Sequence, residues 1–415
     1  PGRILTIGVI LAALGVISAV ATSTTINERQ QALTTVLDHT EPLSFAAGQL
    51  YTKLSVADAA AATAFIAGAE PRPVRQRYEQ SITDAALALT RASGGLTDQP
   101  MQELLGRINA NLAVYTGLIE TARTNNRAGN PVGSSYLAEA SALMQETILP
   151  DAQLLYQQTS GRVEAETTAS TRMPAPVILV LASTIVFGLF AHRWLARRTR
   201  RRVNVGLVAG GLAIMVMVVW VGTVLAVSTA TSRKAQDTSA DSLKTITNLA
   251  ITAQQARADE TLSLIRRGDE TVRKQSYYQR IDTMQQQLSS FLDSNRSAER
   301  AALGDAETLL SKWRAADERI NAYISVGNYQ AATQVALGTG EDDSTPAFDK
   351  LEQALDEGIR ASRDQLRSDI VNARRVLSGA TVGGVVLSLS AALAVALAAL
   401  QQILKVGALD KPLPG

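Results

Sequence analysis

Few side chains in this chain are of the types that catalyse reactions or bind metal ions. The chain has no cysteine, which excludes disulfides, zinc fingers and thiol catalysis. Its two histidines, His39 and His192, lie in distant segments and cannot form a metal site or a catalytic triad together. The sequence also has no Walker glycine loop, dinucleotide-binding fingerprint or kinase signature. We therefore predict no enzymatic activity, no catalytic residue, no metal site and no cofactor.

Three consecutive carboxylates, Glu341, Asp342 and Asp343, lie in the most loop-like stretch of the chain, residues 338–346. Oxygen ligands suit Ca²⁺, but the spacing of these residues lacks the pattern of an EF-hand loop. A solvated loop is the better interpretation of this stretch.

The clearest chemical feature is a basic segment at residues 196–202. Its five arginines are Arg197, Arg198, Arg200, Arg201 and Arg202. Uncharged apolar runs flank it at residues 176–191 and 203–228, which argues against a nucleic-acid patch. Guanidinium groups bind carboxylates and phosphates, including those of anionic lipid headgroups. We predict that these arginines contact a cytoplasmic partner, and contact with membrane lipids is the alternative.

The apolar runs are about long enough to cross a hydrocarbon core of roughly 30 Å. A mean hydropathy of +0.05 beside 19% charged residues also indicates separate apolar and polar blocks. Four membrane spans are predicted, at residues 1–22, 176–195, 203–228 and 377–400. The first run has features of a signal peptide, but a retained span is favoured because its apolar core is longer.

Short arginine-rich loops remain on the cytoplasmic side of a membrane. The loop at residues 196–202 is therefore predicted to be cytoplasmic, together with both termini and the tail at residues 401–415. The expected location is the plasma membrane, with the two long polar segments outside the cytoplasm.

The two polar segments, residues 23–175 and 229–376, have helical periodicity broken by proline and glycine. The predicted helices end near residues 68, 93, 127 and 172 in the first segment, and near residues 267, 294, 326 and 375 in the second. Four helices joined by short breaks indicate an up-down-up-down bundle. The predicted fold is all-α, with two tandem extracytoplasmic four-helix bundles continuous with four transmembrane helices.

The two halves are related by an internal repeat. At one constant offset, Gln76, Tyr78, Gln80 and Ile82 match Gln275, Tyr277, Gln279 and Ile281. At another, Leu112, Tyr115, Gly129 and Asn130 match Leu310, Trp313, Gly327 and Asn328. Each half is therefore predicted to be a span, a bundle and a second span.

The lengths of the predicted helices add a further expectation. At 1.5 Å per residue the first helix is roughly 65 Å long, whereas the second is nearer 30 Å. The part of each domain close to the membrane then holds only its first and fourth helices. Two such pairs, side by side, are expected to form one four-helix stalk.

The breaks between helices are expected at the bundle ends far from the membrane, where loops concentrate binding residues. The residues predicted to contact a partner there are Arg72, Arg75, Tyr78, Arg127, Asn130, Tyr136, Tyr277, Tyr278, Asn328 and Tyr329. Tyrosine is a frequent hot spot at interfaces, although a place in the bundle core is the alternative for each tyrosine. No convergent set of polar residues marks a small-ligand pocket.

Each half resembles the four-helix-bundle sensor domains of bacterial chemoreceptors and sensor kinases, although no signalling coiled coil or kinase follows either half. The tandem bundles, four spans and short arginine loop look like the GlnX family of actinobacterial membrane proteins. That resemblance implies a relay from an extracytoplasmic amino-acid-binding lipoprotein, GlnH, to a cytosolic serine/threonine protein kinase, PknG. It transfers no residue assignment.

On this resemblance the expected function is that of a transmembrane signal transducer or adaptor. The expected partners are a solute-binding lipoprotein outside, a serine/threonine protein kinase inside and membrane lipids, with no nucleic acid; a homo-oligomer is left open. Two other classes stay open, an envelope scaffold or assembly protein and a direct sensor of a small molecule.

Overall fold

The computed structural model of the chain describes residues 2–67, 71–95, 98–171, 175–199, 239–265, 271–293 and 297–409, with isolated positions between 215 and 230. Throughout these ranges every regular element is helical, so the predicted all-α class is confirmed. The helices are α1 (Gly2–Thr35), α2 (Glu41–Ile66), α3 (Arg72–Gly94), α4 (Gln99–Arg127), α5 (Gly133–Leu143), α6 (Leu149–Thr171), α7 (Ala175–Thr199), α8 (Asp241–Ile265), α9 (Thr271–Asp293), α10 (Ser297–Leu303), α11 (Ala306–Ser325), α12 (Tyr329–Leu337) and α13 (Ser344–Leu409).

The chain divides into two compact units. Residues 36–165 and 236–367 form one, called the bundle unit below. Residues 1–35, 166–235 and 368–415 form the other, called the flanking unit, in which α1 packs on α7 and the hydroxyls of Ser18 and Thr184 are 3.1 Å apart.

Within the described part of the chain, no helix has the combination of length and apolar character that a membrane span requires. Most of the predicted third span, residues 203–228, and the end of the tail, residues 410–415, lie outside the described residues. The four spans therefore stay a prediction.

Two of the long helices contain short π-helical segments. Val36–Thr40 joins α1 to α2, and Met144–Ile148 joins α5 to α6. Pro150 lies two residues after the end of the second segment, in the first turn of α6. A proline removes one backbone donor, and a π-helical turn is one way in which a helix accommodates the change.

The same helix cap ends the third long helix of each half. Gly129 and Gly327 have φ angles of +72° and +77°, in the left-handed region that glycine adopts without a steric penalty. The N–H of Asn130 donates to the carbonyl of Asn125 at 2.9 Å, and the N–H of Asn328 donates to that of Tyr323 at 2.8 Å. This is the Schellman arrangement, and it explains why both helices end where the repeat predicted.

Matched residues of the repeat also form the two cores. Tyr115 and Trp313 are fully buried, and Tyr78 and Tyr277 are 5% and 2% exposed. In the second bundle the Trp313 ring lies edge-on to Tyr277, with centroids 5.6 Å apart, and to Phe348 at 4.9 Å. Such edge-to-face pairs add to the free energy gained from burial.

The second half departs from the predicted plan after its Schellman cap. A short helix, α12, follows at once, and the Asn328 side chain caps it by accepting the N–H of Ala331 at 3.1 Å. The predicted loop then ends in Asp343, whose carboxylate accepts the N–H of Gly340 at 2.9 Å. The last helix begins at Ser344, so residues 344–346 of the predicted loop are helical.

The two bundles pack on each other within the bundle unit, chiefly through α2 and α8. Arg77 of α3 adds polar contacts across the interface. It donates to Asp349 and to Glu352 of α13, each at 2.8 Å. The bundle unit is thus one packed body that contains both repeats.

Candidate functional site: a cavity among four helices and a buried carboxylate in each bundle

A cavity of about 310 Å³ lies in the bundle unit among α2, α6, α8 and α13. These helices are the first and the last long helices of the two halves. They surround one space. The volume is at the lower end of the range of ligand pockets in proteins.

Small side chains of α2 make room for this cavity. Ser44, Gly48 and Thr52 recur every four residues, which places them on one face of the helix. A Cβ atom on Gly48 would lie 3.2 Å from the Thr247 methyl carbon and 3.5 Å from the Tyr156 ring. Glycine inside a helix costs about 1 kcal/mol relative to alanine, and here it permits the close approach of α6 and α8.

One end of the cavity contains a buried carboxylate that is held by two guanidinium groups. Glu41 is 1% exposed and accepts from Arg363 Nε at 2.6 Å and from Arg367 Nη1 at 2.9 Å. The Arg363 guanidinium also lies over the Phe45 ring, 3.9 Å from its centroid. Charge-assisted hydrogen bonds of this kind compensate the loss of hydration of a buried carboxylate.

The polar groups in the rest of the wall are paired or neutral. Lys244 donates to Glu164 at 2.8 Å, and both side chains are about half exposed, at 46% and 58%. Burial raises the pKa of Tyr156 to about 12, so its hydroxyl is uncharged and hydrogen-bonds with Thr247. The cavity therefore offers hydroxyl groups and aromatic rings between two sets of paired charges.

The first bundle contains a buried carboxylate with neutral partners. Asp58 accepts from the Tyr115 hydroxyl at 3.3 Å, from Ser141 at 3.1 Å and from the Gln145 amide at 2.9 Å. Burial raises its pKa to about 6, although these hydrogen bonds partly oppose the shift. A group with this pKa changes its charge near physiological pH.

The second bundle contains two buried carboxylates, Glu260 and Asp317. Glu260 accepts from Arg257, from the Ser344 hydroxyl and from Trp313 Nε1, the last at 3.2 Å. Burial, with the negative charge of Glu260, raises the pKa of the neighbouring Asp317 to about 7.

The two halves differ in charge at one matched position. At the offset that relates Tyr78 to Tyr277, Asp58 of the first half corresponds to Arg257 of the second. Arg257 is 7% exposed and pairs with Glu260 one turn further along α8. The same layer therefore holds a lone carboxylate in one bundle and an ion pair in the other.

The predicted extracytoplasmic contact residues differ widely in exposure. Arg72, Arg127, Asn130, Asn328 and Tyr329 are exposed, whereas Arg75, Tyr136 and Tyr278 are half-buried. Tyr78 and Tyr277 are core residues, because their side chains lie on the faces of α3 and α9 that pack against the other helices. Their buried rings cannot contact a partner unless the bundle opens, so the predicted surface does not include them.

The basic segment is described only in part. Arg197 and Arg198 lie in α7, while Arg200, Arg201 and Arg202 fall outside the described residues.

Sequence reasoning missed both the cavity and the buried carboxylates. The cavity combines residues from four helices that are far apart in the chain, so no local motif marks it. Asp58 did leave a local signal, as the one charged residue in the alanine-rich stretch from Val56 to Ala67. A charge on the apolar face of a helix indicates a partner in the core.

Residues 32–168 match the family model of an actinobacterial sensor domain. No curated protein and no solved structure matches the chain. The matched range runs from the end of α1 to α6 and so includes the first bundle with Asp58. The first half is thus similar to a sensor domain, which fits a sensing or signalling role in an actinobacterium.

Proposed function

We propose that this chain is a transmembrane signal transducer without enzymatic activity. The observation that carries the proposal is the match of residues 32–168 to an actinobacterial sensor domain, in a segment between two long apolar runs. A sensor domain needs a route to the cytoplasm if its signal is to act there. Among the described helices, α1 precedes the first bundle in the chain, α7 follows it, and α13 continues past the second.

The proposed topology has four spans, at residues 1–22, 176–195, 203–228 and 377–400. Both bundles are outside the cytoplasm, and the basic segment and both termini are inside. The support is the sequence itself, since uncharged runs bracket the arginines of residues 196–202. The plasma membrane is the proposed location.

The proposed partners follow the GlnX resemblance. A solute-binding lipoprotein would dock on the exposed bundle ends, where Arg72, Arg127, Asn130, Asn328 and Tyr329 are accessible. A serine/threonine protein kinase would respond to the basic segment, and through this relay the cell would sense external amino acids. Arginine and tyrosine at exposed bundle ends suit a protein partner.

The proposed mechanism is a small shift of continuous helices. The helix α13 is unbroken from Ser344 to Leu409 and includes residues 377–400 of the predicted fourth span. A partner can change the equilibrium between two helix positions only by its differential affinity for them. The ion pairs of Glu41 with Arg363 and Arg367 would resist or favour such a shift, because they join α2 to α13.

The test is purification of the intact protein from its native membrane, with mass spectrometry of the proteins that accompany it. A solute-binding lipoprotein and a serine/threonine kinase are expected together. A matched variant with glutamine at the five arginines should retain the lipoprotein and lose the kinase. Cell-wall machinery without a solute-binding protein, at any external amino-acid concentration, would instead favour an envelope scaffold.

A second candidate function, direct sensing of a small molecule, is favoured by the cavity among α2, α6, α8 and α13. In this reading the ligand binds to the chain itself and no lipoprotein is required.

A further inference from the structure

We propose that the cavity among α2, α6, α8 and α13 binds a small organic molecule without net charge, which has an apolar part and hydrogen-bonding groups. The proposal names the class of ligand for direct sensing. Binding is argued from the cavity alone, and only a signalling role of the bound molecule rests on the proposed sensing function. It is also independent of the lipoprotein and the kinase.

The size and position of the cavity suit such a molecule. Its volume of about 310 Å³ accommodates a compact molecule. Four helices from both halves surround it, so a bound molecule contacts both repeats at once. The described lining residues all belong to the bundle unit.

The wall combines apolar groups with hydroxyl groups. Phe45, Leu243 and Ile359 provide apolar contacts, while Ser160 and Thr247 place hydroxyls in the same space. The hydroxyl of Ser160 already donates to the Gln157 carbonyl at 3.2 Å, and it retains capacity to accept a further hydrogen bond. A ligand with an apolar part and hydrogen-bonding groups can contact both the apolar side chains and the hydroxyl groups of the wall.

The charged groups of the lining favour a ligand without net charge, because each of them already has a partner. Glu41 is held by two arginines, and Lys244 pairs with Glu164. Asp241, at the start of α8, also has an interaction in the structure and is not free. A ligand with a net charge would have to lose hydration without a counter-charge, or would have to break one of these pairs.

The experiment uses three compounds that share one ring and differ in charge. They are 2-(4-hydroxyphenyl)ethanol, which is neutral, 4-hydroxyphenylethylamine, a cation, and 4-hydroxyphenylacetate, an anion. Binding to the full chain in lipid nanodiscs is measured by calorimetric titration, with empty nanodiscs subtracted. We expect saturable binding of the neutral alcohol and at least about tenfold weaker binding of both charged compounds, the equivalent of one uncompensated polar group.

Two serine variants locate the binding. Ser160→Phe fills part of the cavity and should abolish binding of the alcohol. Ser289→Phe is the matched control, since Ser289 is also a half-exposed helical serine that donates to a carbonyl three residues earlier, that of Gln286 at 3.2 Å. It lies on α9, away from the cavity lining, and its variant should bind as the unmodified protein does.

Val163→Phe is a second cavity-filling variant, to be used if Ser160→Phe does not fold by circular dichroism. No saturable binding of the alcohol by the folded protein would overturn the proposal. Equal affinity for a charged compound, or undiminished binding by both folded cavity variants, would overturn it as well. None of these outcomes bears on the relay proposal, which the purification from native membrane tests separately.

Discussion

Arg363 of α13 donates a hydrogen bond of 2.6 Å to Glu41 of α2, and so joins the last helix of the second half to the first half. Arg367, one turn further along α13, donates to the other oxygen of the same carboxylate at 2.9 Å. Glu41 is therefore the acceptor of a two-arginine clamp that closes one end of the cavity.

We predict that Glu41→Ala lowers the free energy of unfolding by about 1–3 kcal/mol, because two guanidinium groups lose their shared partner. The lower end of this range allows for the partial exposure of Arg363 and Arg367, at 28% and 41%. Urea unfolding followed by circular dichroism measures the change.

The control for this variant is Glu79→Ala, which removes the exposed pair of Arg75 and Glu79 on α3. Exposed pairs contribute about 0–1 kcal/mol, so this change should be small. Equal effects of the two variants would mean that the clamp contributes no more than a surface ion pair.

We predict that Asp58 makes the stability of the protein fall as the pH rises from about 4 to about 6. Burial raises the pKa of Asp58 from 3.8 to about 6 in the folded state. In this window the folded state binds more protons than the unfolded state, so folding becomes less favourable with rising pH. The melting temperature, measured across this window, should therefore fall less in Asp58→Asn than in the unmodified protein.

Asp317→Asn should likewise reduce the fall in melting temperature with rising pH, in a window that extends to about pH 7, because the pKa of Asp317 is raised to about 7. A melting-temperature difference between Asp58→Asn and the unmodified protein that does not vary with pH would contradict the assignment to Asp58.

We predict that Gly48→Leu destabilises the bundle unit by about 1–3 kcal/mol, the usual effect of overpacking a core. The new side chain would begin at a Cβ only 3.2 Å from the Thr247 methyl carbon. Gly117→Leu is the matched control on α4, because a Cβ there meets no atom within 4 Å. It should be neutral or stabilising by up to about 1 kcal/mol, as helix propensity dictates. Chemical unfolding compares the two, and a stabilised Gly48→Leu would show that the cavity wall yields easily.

We predict that Gly129→Ala and Gly327→Ala each cost about 1–2 kcal/mol, since both glycines have positive φ angles that alanine adopts at this cost. Gly106→Ala, in the middle of α4, should instead be neutral or stabilising. Thermal unfolding of the three variants checks the prediction. A cost at Gly129 without one at Gly327 would mean that the two caps are not equivalent.

The features that the sequence made predictable are those that depend on neighbouring residues. The helix ends at Gly129 and Gly327 could be predicted because a Schellman cap needs only a glycine and the preceding turn. Tyr78 and Tyr277 could not be assigned to core or surface, since a tyrosine has an apolar ring and a polar hydroxyl and suits both. Contacts with distant helices decided their burial.

The cavity and the partners of Asp58 depend on residues that the fold brings together from distant segments. Gly48 and Thr247 meet only because α2 and α8 pack closely. The helix α12 was missed because its nine residues, Tyr329–Leu337, are too few for a helical period to be distinguished from a loop.

Asp58 and Arg257 place groups of opposite charge at one matched position of the two halves. Here the first half has an acid without a cationic partner, while the second half has an internal ion pair at the matched position. The two halves of this packed body are therefore not interchangeable: acidification below about pH 6 neutralises the group at this position in the first half, whereas the second half holds an arginine there that is paired with Glu260.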